Sequence, residues 1–134
     1  MKAHPGPITL LIADDEPHIR LLVGAKLRAA GFNVVVASNG QEALEQARTS
    51  RPALIVTDFQ MPLLSGFEMC QRLYEDPDTS EIRAIMLTAR GHKLRPSELA
   101  KTNIQLLMDK PFSPRDLLMH VYDMLGMNPE AKSA

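Results

Sequence analysis

Ile8-Thr9-Leu10-Leu11-Ile12-Ala13-Asp14-Asp15-Glu16-Pro17 is the stretch on which the fold turns. An almost unbroken apolar run ends abruptly in three acids and a proline. A short run without in-out alternation predicts a strand covered on both faces, as in a parallel sheet. Pro17 suits the first turn of a helix. Beyond it, Ile19, Leu22, Val23 and Leu27 are spaced to share one helical face, and Gly31 supplies a stop. The stretch therefore reads as strand, acidic loop, amphipathic helix.

The same alternation continues outward. Ile8 to Ala13, Asn33 to Ala37, Ala53 to Thr57, Arg83 to Thr88 and Ile104 to Met108 read as strands, with helical periods between them. Asn39 stands three residues before Glu42 as a cap pair, and Ser113-Pro114-Arg115-Asp116 opens the last helix. Leu117, Leu118, Val121 and Leu125 form that helix's buried stripe. Five strand–helix units imply parallel strands joined by right-handed crossovers. The expected fold class is α/β: a (βα)5 doubly wound parallel five-stranded sheet with helices on both faces. Residues 8–126 should form one domain, with short extensions at 1–7 and 127–134. Asp76-Pro77-Asp78-Thr79-Ser80 reads as a polar loop, and Asn128 to Ala134 as a frayed tail.

Composition narrows the function classes. The chain has 134 residues, 45% hydrophobic and 23% charged, enough for a core. Lys+Arg 15 against Asp+Glu 16 leaves a net charge of -1, which argues against direct nucleic-acid binding through a basic surface. Cys70 is the one cysteine, so neither a disulfide framework nor a cysteine-rich zinc site is expected. Apolar runs fall short of a membrane span, and the first residues do not read as a secretion signal. The expectation is a soluble, cytoplasmic protein without membrane contact.

Open α/β sheets carry their sites at the carboxyl ends of the strands. Asp14, Asp15 and Glu16 follow the first strand, Asp58 the third, Thr88 ends the fourth and Lys110 follows the fifth. Each has an ordinary explanation: acids before Pro17 can cap a helix, an Asp at a strand end suits a turn, Thr88 fits any strand, and Lys110 can be a solvated loop charge. Together at one sheet edge they imply more. Clustered carboxylates repel one another or recruit a cation, and hard oxygen donors with open water positions suit Mg²⁺. The residues thus predict a magnesium site from Asp14, Asp15 and Asp58, with Lys110 as a second positive charge.

Asp14-Asp15-Glu16, Asp58-Phe59-Gln60-Met61-Pro62 with Gly66, Met86-Leu87-Thr88-Ala89 and Lys110-Pro111-Phe112 in this order resemble the receiver domain of two-component response regulators. The resemblance covers about residues 8 to 126. It implies a flavodoxin-like receiver fold with strand order 2-1-3-4-5. It also implies a phospho-accepting signalling switch rather than a turnover enzyme. Asp58 would be the phosphoacceptor, taking a phosphoryl group from a histidine kinase or histidine phosphotransfer protein, with Mg²⁺ as cofactor. Asp15, with Asp14, would hold the metal, and the backbone carbonyl of Gln60 would complete its protein ligands. Thr88, the amide of Ala89 and Lys110 would meet the phosphoryl oxygens, and Lys110-Pro111 is expected to be cis.

The resemblance further implies that drawing Thr88 inward repacks the face of the fourth helix, fifth strand and fifth helix, which a downstream protein target reads. One position departs: Leu107 stands where the family carries Tyr or Phe three residues before the lysine. That directs the coupling toward the loop from Ala89 to Ser97, with Arg90, His92, Lys93 and Arg95. Gln60 and Arg90 occupy the two positions that modulate access of hydrolytic water in this family. A phosphohydrolase with an aspartate nucleophile is disfavoured because Gln60 replaces its second acid, and a flavodoxin-type carrier because Asp14-Asp15-Glu16 would repel a phosphate. A degenerate receiver is disfavoured because the acceptor set is complete. His4, His18, His92 and His120 lack metal-ligand spacing. Cys70 reads as a small core residue, and Met119, Met124 and Met127 as adaptable packing. Too few residues follow Met127 for an output domain, so a one-domain regulator or a receiver cut from a longer chain is expected.

Overall fold

The computed structural model describes residues 7–89 and 92–128. Its elements run β1 (Thr9–Ala13), α1 (Pro17–Ala29), β2 (Asn33–Ala37), α2 (Gly40–Ser50), β3 (Leu54–Asp58), α3 (Gly66–Glu75), β4 (Arg83–Ala89), α4 (Pro96–Leu99), β5 (Ile104–Lys110) and α5 (Pro114–Met124). All pairings are parallel, and the order across the sheet is β2-β1-β3-β4-β5. The continuous apolar runs hold the centre: Leu10, Leu11, Ile12, Leu54, Ile55 and Val56 are fully buried. Their alternate side chains feed two cores. Leu11 and Ile55 meet Leu44, Met69 and Cys70 on the α2–α3 side; Leu10, Ile12 and Val56 meet Val23, Leu27 and Leu117 on the α1–α5 side.

Local chemistry sets the helix starts. Asn39 caps α2 by accepting from the Glu42 amide at 2.8 Å, while the Glu42 carboxylate turns to the Ser38 amide and hydroxyl. Ser65 and Glu68 form a reciprocal capping box on α3, and Ser113 caps α5. The loop at Asp76–Ser80 is polar but pinned: Thr79 is buried and donates to the Leu73 carbonyl at 2.8 Å. The fourth helix is a single turn without a buried residue. Pro96 starts it, and Glu98 folds back onto the Arg95 amide at 2.7 Å. Cys70 is buried, which pushes its thiol up to about 12. Met119 is exposed, whereas Met124 and Met127 pack against the α1–α5 core. His4, Arg90 and residues 129–134 lie outside the described residues. Among the described residues no helix is long and apolar enough to cross a membrane.

Candidate functional site

The sheet register gathers the strand ends. Ala13 aligns with Thr57, Asp58 with Leu87, and Ala89 with Lys110, so the loops after β1, β3, β4 and β5 open on one edge. Asp14, completely buried, Asp15, exposed, and Asp58, between the two, bring carboxylate oxygens within 4.8 Å of one another. That spacing and the all-oxygen donor set fit a small, hard divalent cation shared by the three.

Lys110 reaches this cluster across the sheet. Its Nζ lies 3.1 Å from Asp14 Oδ2, 3.2 Å from Glu16 Oε1 and 3.3 Å from Asp58 Oδ1. The Lys110–Pro111 peptide is cis, as the family resemblance implies. Partial burial pulls the ammonium's pKa down, but the Asp14 hydrogen bond and the Asp14 and Asp58 charges outweigh it and leave it raised. Asp58 is pushed up to about 6, first by burial and then by the Asp14 charge, against the pull of Lys110. A carboxyl poised between charged and neutral forms near physiological pH marks a site where charge compensation is incomplete.

The loops are held by short contacts. Asp14 Oδ1 accepts from the Glu16 amide at 2.9 Å, and its carbonyl accepts from Arg20 at 2.7 Å. Glu16 is the N-cap residue of α1, yet its side chain makes no cap hydrogen bond and serves Lys110 instead. The capping explanation of the acids therefore does not describe Glu16. Asp58 Oδ1 accepts from the Phe59 amide at 2.9 Å. Beneath the acceptor loop, Gly66 packs flat against the chain: a Cβ there would fall 1.9 Å from the Asp58 carbonyl oxygen. Leu63, in the same loop, is 81% exposed and takes φ 70°, a left-handed conformation unusual for leucine. The Phe59 ring meets His92 at 4.4 Å and Phe67 at 6.2 Å, closing the loop on one side.

Thr88 is 1% exposed at the end of β4, and its hydroxyl donates to Asp109 Oδ1 at 3.4 Å. Ala89 is exposed at the mouth, and Gln60 follows the acceptor strand on the surface. A groove of about 520 Å³ opens beside the cluster, lined by Ile19, Leu22, Ala89, Lys110 and Phe112 among others. Sequence reasoning named Asp14, Asp15, Asp58 and Lys110, which the structure brings together. It missed Glu16 as a lysine partner and Asp109 as the acceptor for Thr88; an acid flanking the lysine was the available signal for the second.

Comparison with known proteins agrees with this arrangement. The family model for the response regulator receiver domain matches residues 10–122. Response regulator Rre1 of Synechocystis is 34% identical over 129 residues, which make up 96% of this chain and 56% of that protein. Among solved structures, chemotaxis response regulator CheY4 of Vibrio cholerae has a TM-score of 0.79 at 29% identity, covering 87% of this chain and 98% of its own. The receiver domain of the Francisella response regulator 1452 has a TM-score of 0.78 at 28% identity, covering 87% and 95%. The chain spans about half the length of the curated relatives it matches. Five parallel strands in this order, an acidic edge joined by one lysine, and a family match over most of the sequence converge: the chain belongs to the receiver domains of two-component response regulators.

Proposed function

We propose that the protein accepts a phosphoryl group on Asp58 from a histidine kinase or histidine phosphotransfer protein and passes the signal on by protein contact. One observation carries this reading: Asp58, with its pKa raised to about 6, lies 3.3 Å from the Lys110 ammonium and beside two further carboxylates. A carboxylate attacks an anionic phosphoryl group only when charge is neutralised around it. Asp14, Asp15 and Asp58, with the Gln60 carbonyl, would hold Mg²⁺, which when bound supplies that neutralisation.

The chain's own groups do the rest. Phe59 N–H and Lys110 both hold Asp58 Oδ1, leaving Oδ2 as the nucleophile. An Asp58 O–P bond forms as the donor's P–N bond breaks, and the histidine leaves with its electron pair. Lys110 shifts from Asp58 to the incoming phosphoryl oxygens, and the Thr88 hydroxyl and Ala89 amide approach others. The groove lined by Ile19, Leu22 and Phe112 is the apolar approach for the donor. A change at Thr88 then reaches the α4-β5-α5 face, where a downstream protein binds.

Acetyl phosphate with Mg²⁺ should add one phosphoryl group, read as a mass increase, and Asp58→Asn should abolish it. Wild-type protein that stays unmodified, and binds no beryllofluoride, would overturn the proposal.

A further inference from the structure

The Thr88 hydroxyl is engaged on the side away from the acceptor. Asp58 aligns with Leu87 across β3 and β4, whereas Thr88 aligns with Asp109 across β4 and β5. Thr88 therefore stands between the acceptor strand and the edge strand, and its hydroxyl donates toward the edge, to Asp109 Oδ1 at 3.4 Å. Leu107 and Asp109 are alternate residues of β5, so they share a face. Leu107 packs with the α2–α3 core, to which Met86, two residues before Thr88, also belongs. On this face Leu107 offers no polar atom, and Asp109 supplies the carboxylate.

We propose that Asp109 is a latch: it holds the Thr88 hydroxyl outward in the unmodified protein, and phosphorylation of Asp58 exchanges that acceptor for a phosphoryl oxygen. The inference rests on the reading of Asp58 as acceptor and names a positioning residue for that reaction. Threonine is β-branched and has few χ1 states, so the exchange is one discrete rotation that swaps hydroxyl and methyl. Thr88 is buried and its hydroxyl needs an acceptor in either state. Asp109 is exposed and is rehydrated when released. A 3.4 Å O–H···O contact is long, which makes the hold easy to exchange. Release frees the Asp109 carboxylate on the edge strand to accept a different donor, a change in surface hydrogen bonding that a partner can read.

The test begins in unmodified protein, where the latch is measured independently of any phosphoryl chemistry. Three-bond couplings to the Thr88 methyl should report a single χ1 state in the wild type and averaging in Asp109→Ala; identical couplings in the two proteins overturn the latch. Beryllofluoride titration with Mg²⁺, followed by ¹⁹F NMR, then reads its effect. Asp109→Ala should bind about three- to tenfold tighter than wild type, the range expected for removing one competing hydrogen bond. Asp109→Asn, which keeps an acceptor oxygen, should fall between them. In a Thr88→Ala background the Asp109→Ala gain should vanish. An equal gain in that background would assign Asp109 to simple charge repulsion and overturn the latch. A wild-type protein that binds no beryllofluoride yet shows the χ1 difference would fail the acceptor reading alone.

Discussion

Asp58 carries its charge at a cost in the metal-free protein. Its native pKa of about 6 lies above the ordinary 3.8, so between those values the folded state holds a proton that the unfolded state has lost. Stability from this residue is therefore full below about pH 4 and is lost as pH rises through 6. Asp58→Asn removes the penalty. In EDTA at pH 7.5 the variant should be about 1 kcal/mol more stable than wild type, after allowance for solvent screening, and the gain should disappear near pH 4. Urea denaturation followed by circular dichroism at both pH values measures it, and a pH-independent difference would refute the assignment. Lys110 acts in the opposite sense. Its ammonium is the shared partner of Asp14, Glu16 and Asp58, and Asp14 is fully buried. Lys110→Ala strands that carboxylate and should cost about 2 kcal/mol in EDTA. Millimolar Mg²⁺ should restore part of the loss by supplying the missing positive charge.

At the scale of elements, what could be read from residues was what a regular pattern encodes. The unbroken runs in β1, β3 and β4 announced buried parallel strands, and Asn39 and Ser113 announced helix starts that the structure contains. Convergence of Asp14, Asp58 and Lys110 was legible because parallel strands must end on one edge. The single turn of α4 was not: Pro96 and the Arg95–Glu98 pair make a helix start, but Ala100 to Asn103 turn straight into β5. Nor was the use of Glu16, because an acid before Pro17 fits a helix cap equally well. Gly66 shows how an element end and the site depend on each other. Ser65 caps α3, the Gly66 amide donates to the Phe59 carbonyl at 2.9 Å, and the missing side chain lets the helix start against the Asp58 backbone. Gly66→Ala should cost about 3 kcal/mol by overpacking. Because the backbone clash falls on Asp58 itself, acetyl phosphate labelling should drop even at temperatures where the variant stays folded. Normal labelling in a folded Gly66→Ala protein would show that the close approach is not needed by the site.

Across the whole molecule, the two cores are distributed unevenly around the edge that holds the acids. Asp14 and Asp15 follow β1 and Asp58 ends β3; β1, β3 and β4 are the strands with fully buried side chains facing both cores. Thr88 lies on β4 and Asp109 on the edge strand β5, whose side chains are mostly half-buried or exposed, next to a one-turn α4 in which Leu99 is only partly buried. The acidic cluster thus sits at the well-supported centre of the sheet, and the Thr88–Asp109 contact joins that centre to its less supported edge. Local opening follows such differences: segments with few buried apolar groups open at far lower free energy than the global transition. Amide exchange should therefore be slowest in β1, β3 and β4, approaching the global unfolding free energy, and faster by orders of magnitude in residues 96–103 and along β5. Beryllofluoride with Mg²⁺ should slow exchange in β5 and α4 while leaving β1 and β3 unchanged, since the latter are already limited by global unfolding. Equal protection across all five strands in the unmodified protein would mean that edge and centre open as one unit, and that a rearrangement confined to the α4-β5-α5 face is not available to this fold.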